Sequence, residues 1–300
     1  MRKRMSVPGI VAAILALGLF ALAGCGDAIT MTDVSELDDE EALREFVEDH
    51  GFFDESEIYG AESMTTGGSD SREEIDPLTF WREVTERHVV RDVYIDQATG
   101  TAEVTIYKEI WGTLNIIDEN MVEYVKPMHH EGVRYAVFQR DDDVSPGNGD
   151  ENGNGETHRH RRGRWTLTAI SGLVANSVET LTMNIDWVQV QSATVDVTIT
   201  DPSTLMEVPD EIMCFEEGEE VTVTVSGPPE DAILFLHTRG NRSPLQYDNG
   251  VFVGTWTVTH RGVHCAGVQA LAHDSIYDSE YPDDSLIWGA PYEVGEESAE

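Results

Sequence analysis

The residues whose types and spacing could do chemistry are mostly His and carboxylate, and they fall into a few short strings. Asp150-Glu151-Asn152-Gly153-Asn154-Gly155 fits the first six positions of a calcium loop, where oxygens at 1, 3 and 5 wrap the ion and Gly at 6 allows the sharp turn. Position 12 should be a bidentate Glu and is Arg161, so the string reads as a Gly/Asn/Asp linker. His158-Arg159-His160-Arg161-Arg162-Gly163-Arg164 is the densest basic stretch after the leader and could dock an anion or take up metal through its two His. Asp141-Asp142-Asp143 stands at the other end of the same segment, and local pairing of the two ends is the simpler reading. Met128-His129-His130-Glu131 could supply ligands or a general base, and reads as a pair of exposed histidines at a turn between strands. His260 and His264 lie near Cys265, but Arg261-Gly262 signals a turn, and no helix sets the two rings on one face for zinc. The chain has no Gly-x-Ser-x-Gly, His-Glu-x-x-His, P-loop or Gly-x-Gly-x-x-Gly signature. The expectation is no catalytic residue, no metal site and no cofactor.

Charge narrows the partners. Asp and Glu number 57 against 19 Lys and Arg, a formal net charge of −38 over 300 residues, and such a chain repels a phosphate polymer. Nucleic acid is therefore excluded, while 40% apolar residues leave enough to bury a core. The excess is uneven: residues 27–76 hold 18 acids and 2 bases, residues 77–193 hold 18 and 11, and residues 194–300 hold 21 and 3. Acid spread over two separate segments suits exposed surface, and a saline habitat in which self-repulsion is screened, better than a single acidic centre.

Residues 1–24 read as an export signal: Met1-Arg2-Lys3-Arg4 is basic, and an apolar run from Ile10 to Leu22 precedes small residues. The run is too short to span a bilayer, which takes about 20 residues. Leu22-Ala23-Gly24-Cys25 resembles the lipobox of bacterial lipoproteins, which implies cleavage before Cys25 and its acylation, with residues 25–34 as a tether. Gly26, not Asp, follows the Cys, and the resemblance then favours the outer membrane where the cell has two. Taking Cys25 for lipid leaves Cys214 and Cys265 as an even pair in an exported chain, and a disulfide between them is expected.

The elements that must position these residues begin with a helix from Ser35 to Gly51, followed after a Gly/Ser loop by a second helix opened by Asp76-Pro77. Beyond it the period changes to two, with strands over 88–96, 101–117, 122–128, 133–140, 164–171 and 181–191. Phe80-Trp81-Arg82, Gly112-Thr113-Leu114, Arg134-Tyr135-Ala136-Val137-Phe138 and Trp165 to Ser171, in that order, resemble the NTF2-like (SnoaL-like) α+β fold over residues 35–192, interrupted by an insertion at 141–162. That resemblance implies a cone whose pocket could be lined by His88, Asp92, Tyr94 and Tyr107, with small-ligand binding or isomerase or dehydratase chemistry as the alternative function.

Residues 193–300 read as short strands separated by Gly218, Gly227-Pro228-Pro229, Asn249-Gly250 and Arg261-Gly262, and resemble an immunoglobulin-like β-sandwich through Gly254-Thr255-Trp256-Thr257-Val258 and Gly262-Val263-His264. The expected protein is thus an α+β domain followed by a sandwich. It is held at the cell envelope by an acylated Cys25, is not an enzyme, and has an adhesion, structural or binding role toward another envelope protein or surface component.

Overall fold

The computed structural model describes residues 34–54, 58, 64–65, 74–141, 161–162, 164–239 and 241–295. The leader with Cys25, the Asp150 to Gly155 string and His158 to His160 lie outside the described residues. The chain divides into two units, Met1–Leu37 and Asp38–Glu300, and the second carries the architecture set out below.

Strand accounts for 60% of the structure and helix for 8%, which overturns the α+β expectation and with it the NTF2-like resemblance. The helix expected after Asp76 is instead the start of a 20-residue strand, β1 (Pro77–Asp96). Phe80 and Val84 have a spacing of four, which is shared by a helix and, being even, by one face of a strand. Arg82 decides between them, because it is buried with Phe80 on the same side. β1 pairs antiparallel with β2 (Thr101–Asp118), and β2 with β3 (Glu123–Arg140). The first turn falls in the gap expected between residues 96 and 101: Gly100 has φ +66°, and Asp96 Oδ1 accepts from Ala98 N at 2.9 Å. The break expected between 128 and 133 does not exist, because Met128 to Gly132 run straight through the middle of β3.

From β3 the sheet continues to β4 (Trp165–Ser171) and β5 (Leu173–Ser177), and β5 is itself bonded to β16 (Ser285–Val294). β15 (Gly262–Leu271) follows β16, then β11 (Ile233–Thr238) and β12 (Asn241–Pro244). β8 (Leu205–Glu207) pairs with β4, and β9 (Met213–Phe215) lies parallel to β16. A second sheet of five strands runs in the order β13 (Gln246–Asp248), β14 (Val251–Thr257), β10 (Glu220–Ser226), β6 (Trp187–Gln191), β7 (Asp196–Ile199). Residues on both sides of Ala193 therefore contribute to both sheets. A separate immunoglobulin-like sandwich is not what forms: the sheet that should be one half of it extends unbroken through β5 into β1 to β3.

The two faces of the large sheet are covered differently. On one, helix α1 (Val34–Asp49) lays Leu43, Phe46 and Val47 on Val104, Ile106, Phe138 and Trp165, and Asp39 fastens it by accepting from Arg164 Nε at 2.7 Å and Trp165 Nε1 at 3.1 Å. On the other, the small sheet packs Val188, Val223, Phe252 and Trp256 against Leu234, Val268 and Leu286 of β11, β15 and β16. It does not reach β1 to β3.

A bulge between Val84 and Glu86 opposite Gly112 brings two backbones close, and a Cβ on residue 112 would stand 2.0 Å from Glu83 O. Gly112→Ala should therefore cost about 1–3 kcal/mol, measured as a lowered urea midpoint, because a carbonyl in a ladder yields less than a side chain would.

Candidate functional site

Two groups of polar residues emerge, one inside the protein and one on its surface. The buried one joins four strands. Asp283 Oδ1 accepts from Arg82 Nη2 at 2.9 Å, and its Oδ2 lies 2.5 Å from His130 Nε2. Ser285 Oγ accepts from Arg82 Nη2 at 2.9 Å and stands 3.2 Å from the same His130 nitrogen. Ser177 Oγ donates to Asp283 Oδ2 at 3.4 Å. All five residues are buried. Burial alone would raise the Asp283 carboxyl, but the Arg82 guanidinium and then His130 hold it well below the usual carboxylate range. Burial also pushes the His130 imidazole below its ordinary value and outweighs the pull of Asp283, so the folded protein holds a neutral ring beside one cation and one anion.

Ser, His and Asp are the members of a hydrolytic triad, yet the arrangement here cannot relay a proton. In such a triad the Ser and the Asp address opposite ring nitrogens, whereas Ser285 and Asp283 both address His130 Nε2. The group is a structural fastening that ties β1, β3 and β5 to the segment leading into β16.

A neutral buried His has a pH signature. The unfolded ring takes up a proton near pH 6.5, and the folded one does so only at lower pH, so His130 contributes stability fully above about pH 6.5 and loses it as pH falls toward its folded value. Urea midpoints should drop between pH 7.5 and pH 5 in the parent and drop less in His130→Gln; equal slopes would contradict the assignment.

The surface group lies on the face of β1 to β3 that is left uncovered among the described residues. Cross-strand register sets His88 beside Glu109 and Glu131, and Glu86 beside Trp111 and His129. Alternation then puts Val90, Asp92 and Tyr94 of β1, Glu103 and Tyr107 of β2, and Val133 and Tyr135 of β3 on this same side. Tyr94 is 67% exposed, Val90 54%, Tyr107 47% and Tyr135 37%, so these apolar groups face solvent where polar ones are the norm. Trp111 is flanked by both histidines: His129 stacks on it with centroids 4.9 Å apart at 15°, and His88 meets it edge-on at 5.1 Å. Glu86, Asp92, Glu103, Glu109 and Glu131 make the face acidic, and its side chains include no Lys or Arg. Followed sideways through Asn176 of β5, the face becomes the wall that Leu286 presents to the small sheet.

His88, Asp92, Tyr94 and Tyr107 do share a face, but it is an open one and not the lining of a cone. His129 and His130 are neighbours in a strand, so one ring joins the surface group and the other the buried one. Glu109, Trp111 and Tyr135 were missed as members, although the places of Glu109 and Trp111 follow from counting residues outward from the turn at Gly100, and that of Tyr135 from the turn between Ile117 and Glu123.

Cys214 and Cys265 are not bonded to each other. They pair with positions 293 and 291 of β16 from its two sides, which sets at least two interstrand spacings, about 9.6 Å, between them. A disulfide needs Cα atoms within about 7 Å. Cys265 is instead buried with its Sγ 3.1 Å from Arg134 Nη2, while Cys214 is exposed. His264 Nε2 is directed at the backbone oxygens of His260 and Arg261, at 3.0 and 3.1 Å. An open groove of about 740 Å³ runs along β7, β8 and β9, and its ionisable lining is Asp196, Asp201, Asp210, Glu211 and Cys214.

No family model matches the chain, and no curated protein matches it. Among solved structures a polysaccharide lyase is similar at 10% identity over 80% of this chain, with a TM-score of 0.21. The chain spans 40% of the length of that protein.

Proposed function

We propose that this protein is an exported, lipid-anchored binding protein of the cell envelope that engages a basic partner protein through the uncovered face of β1 to β3. One observation carries the reading: Tyr107, Tyr135 and Tyr94 stand in the open, with Trp111 half-buried beside them, among five carboxylates on a sheet face that is covered by a second sheet only farther along. Aromatic rings interleaved with acid suit Arg and Lys, which gain ion pairs at the carboxylates and cation–π contact at the rings. A non-catalytic role is supported by the Ser–His–Asp group being buried and wired through one nitrogen. Membrane attachment rests on Leu22-Ala23-Gly24-Cys25 and its likeness to a lipobox; palmitate labelling that persists in Cys25→Ser would remove that part of the reading.

The binding claim is tested by capture from the native envelope. A partner held by the parent protein should be lost in Tyr107→Ala/Tyr135→Ala and released as salt rises, yet retained by Tyr247→Ala, an exposed tyrosine on the other sheet. Retention by the double variant with loss in Tyr247→Ala would overturn it.

A further inference from the structure

We propose that Glu109, His129 and Glu131 form a binding site for a divalent ion of the zinc class on the outward face of β2 and β3. The proposal goes beyond the docking role and does not depend on it. One donor atom from each of the three lies within 4.8 Å of the other two, although they come from two strands and are separated by up to 22 positions in sequence. Register explains the meeting: Glu109 sits directly across from Glu131, and His129 is two residues from Glu131 on the same side of β3.

His129 supplies the observation that points to a ligand. Its Nε2 is shielded from water and has no hydrogen-bond partner among the described residues, and Glu109 Oε1 is 3.9 Å away. A shielded ring nitrogen facing two carboxylates without a bond to either is costly as it stands. An ion between them would satisfy all three. The ring is also held in place, since it lies flat on Trp111. Donors about 2.1 Å from a tetrahedral zinc stand about 3.4 Å apart, so the site must contract by roughly 1.4 Å from its widest reach. Glu109 is 45% exposed and has the freedom to make that movement.

The donor set selects the metal class. Calcium takes six to eight oxygens and magnesium keeps an octahedral shell of oxygen and water, and neither gains from imidazole. One imidazole and two carboxylates suit zinc and its late first-row neighbours, with at least one position left for water or an outside ligand. The formal charge of −38 raises the local concentration of any cation near this face.

The experiment titrates Zn²⁺ into the full chain after chelator treatment, in a His158→Ala/His160→Ala background that removes a competing pair. Calorimetry should give one site, and tryptophan emission should change with the same midpoint because Trp111 stacks on a ligand. His129→Ala and Glu131→Gln should each weaken binding by roughly tenfold or more and abolish the emission change, with unaltered circular dichroism and melting temperature showing that the fold is kept. His88→Ala, which keeps all three donors, should bind as the parent does. Absence of a zinc site in the parent, or His129→Ala and Glu131→Gln titrating within a factor of two of it, overturns the proposal.

Discussion

Replacing Asp283 with Ala should destabilise the protein by about 3–5 kcal/mol, because it leaves a buried guanidinium without its counter-charge. Arg82 and Asp283 are 5% and 1% exposed, so solvent screens neither. The pair was costly to bury, and the loss in the variant is chiefly the penalty of an orphaned charge and not the worth of the bond. His130 and Ser177 each lose one of their hydrogen-bond acceptors at the same time. Asp283→Asn preserves the shape and still removes the charge, so it should fall in the same direction. Removing both charges with Arg82→Met/Asp283→Leu should recover part of the loss, since no ion is then stranded. Urea unfolding with an unchanged slope reads these differences directly. The acid side has its own sign: the folded carboxyl is held low, so its contribution is complete above the unfolded carboxylate value near pH 4 and is lost as pH falls through the folded one. Loss of stability at pH 5 to 6 thus belongs to His130, and further loss below pH 4 belongs to Asp283.

Trp165→Ala is the second large effect, at about 3–5 kcal/mol, the range for truncating a buried aromatic side chain. Trp165 is 1% exposed and lies under α1 with Phe46, Phe138 and Leu167. Its Nε1 donates to Asp39 Oδ1, and the same carboxylate takes the Arg164 guanidinium, so one side chain fills the core and orients the fastening of the helix. Trp165→Phe keeps most of the volume and leaves Asp39 Oδ1 still accepting from Arg164 Nε, and should cost less than the Ala variant. The distinguishing measurement is protease sensitivity within α1: Trp165→Ala should expose Leu43 to Val47 to cleavage at urea concentrations where β1 to β3 remain protected. Cleavage starting elsewhere would contradict the role given to this residue.

Much of the strand content was legible, because alternation is a local property. β1 ends and β2 begins where the pattern places them, at Asp96 and Thr101, with the turn at Gly100 between them. The helix at Asp76-Pro77 failed because a proline after Asp opens a strand as readily as a helix, and an apolar spacing of four does not separate the two periods. His129 and His130 were read as a turn on polarity alone, yet a strand with one wet face and one dry face accommodates one of each, provided a partner such as Asp283 waits inside. That partner is 153 positions away and belongs to a contact that local pattern does not reveal. The α+β and two-domain layout failed for a related reason. The continuity of the large sheet is made by five residues, Leu173 to Ser177, whose bonds to both β3 and β16 leave no mark in composition. The Cys pair shows the same limit: an even count in an exported chain suggests a bridge, while register places a strand between the two.

The surface face is the centre of this account, and radical footprinting in the native envelope tests it without knowledge of the partner. Hydroxyl-radical labelling of Tyr94, Tyr107, Trp111 and Tyr135 should be several-fold lower in intact envelopes than in the purified protein, while Tyr247 on the second sheet is labelled equally in both. Equal labelling of the four aromatic residues in the two preparations, at matched dose, would contradict the claim that this face is occupied.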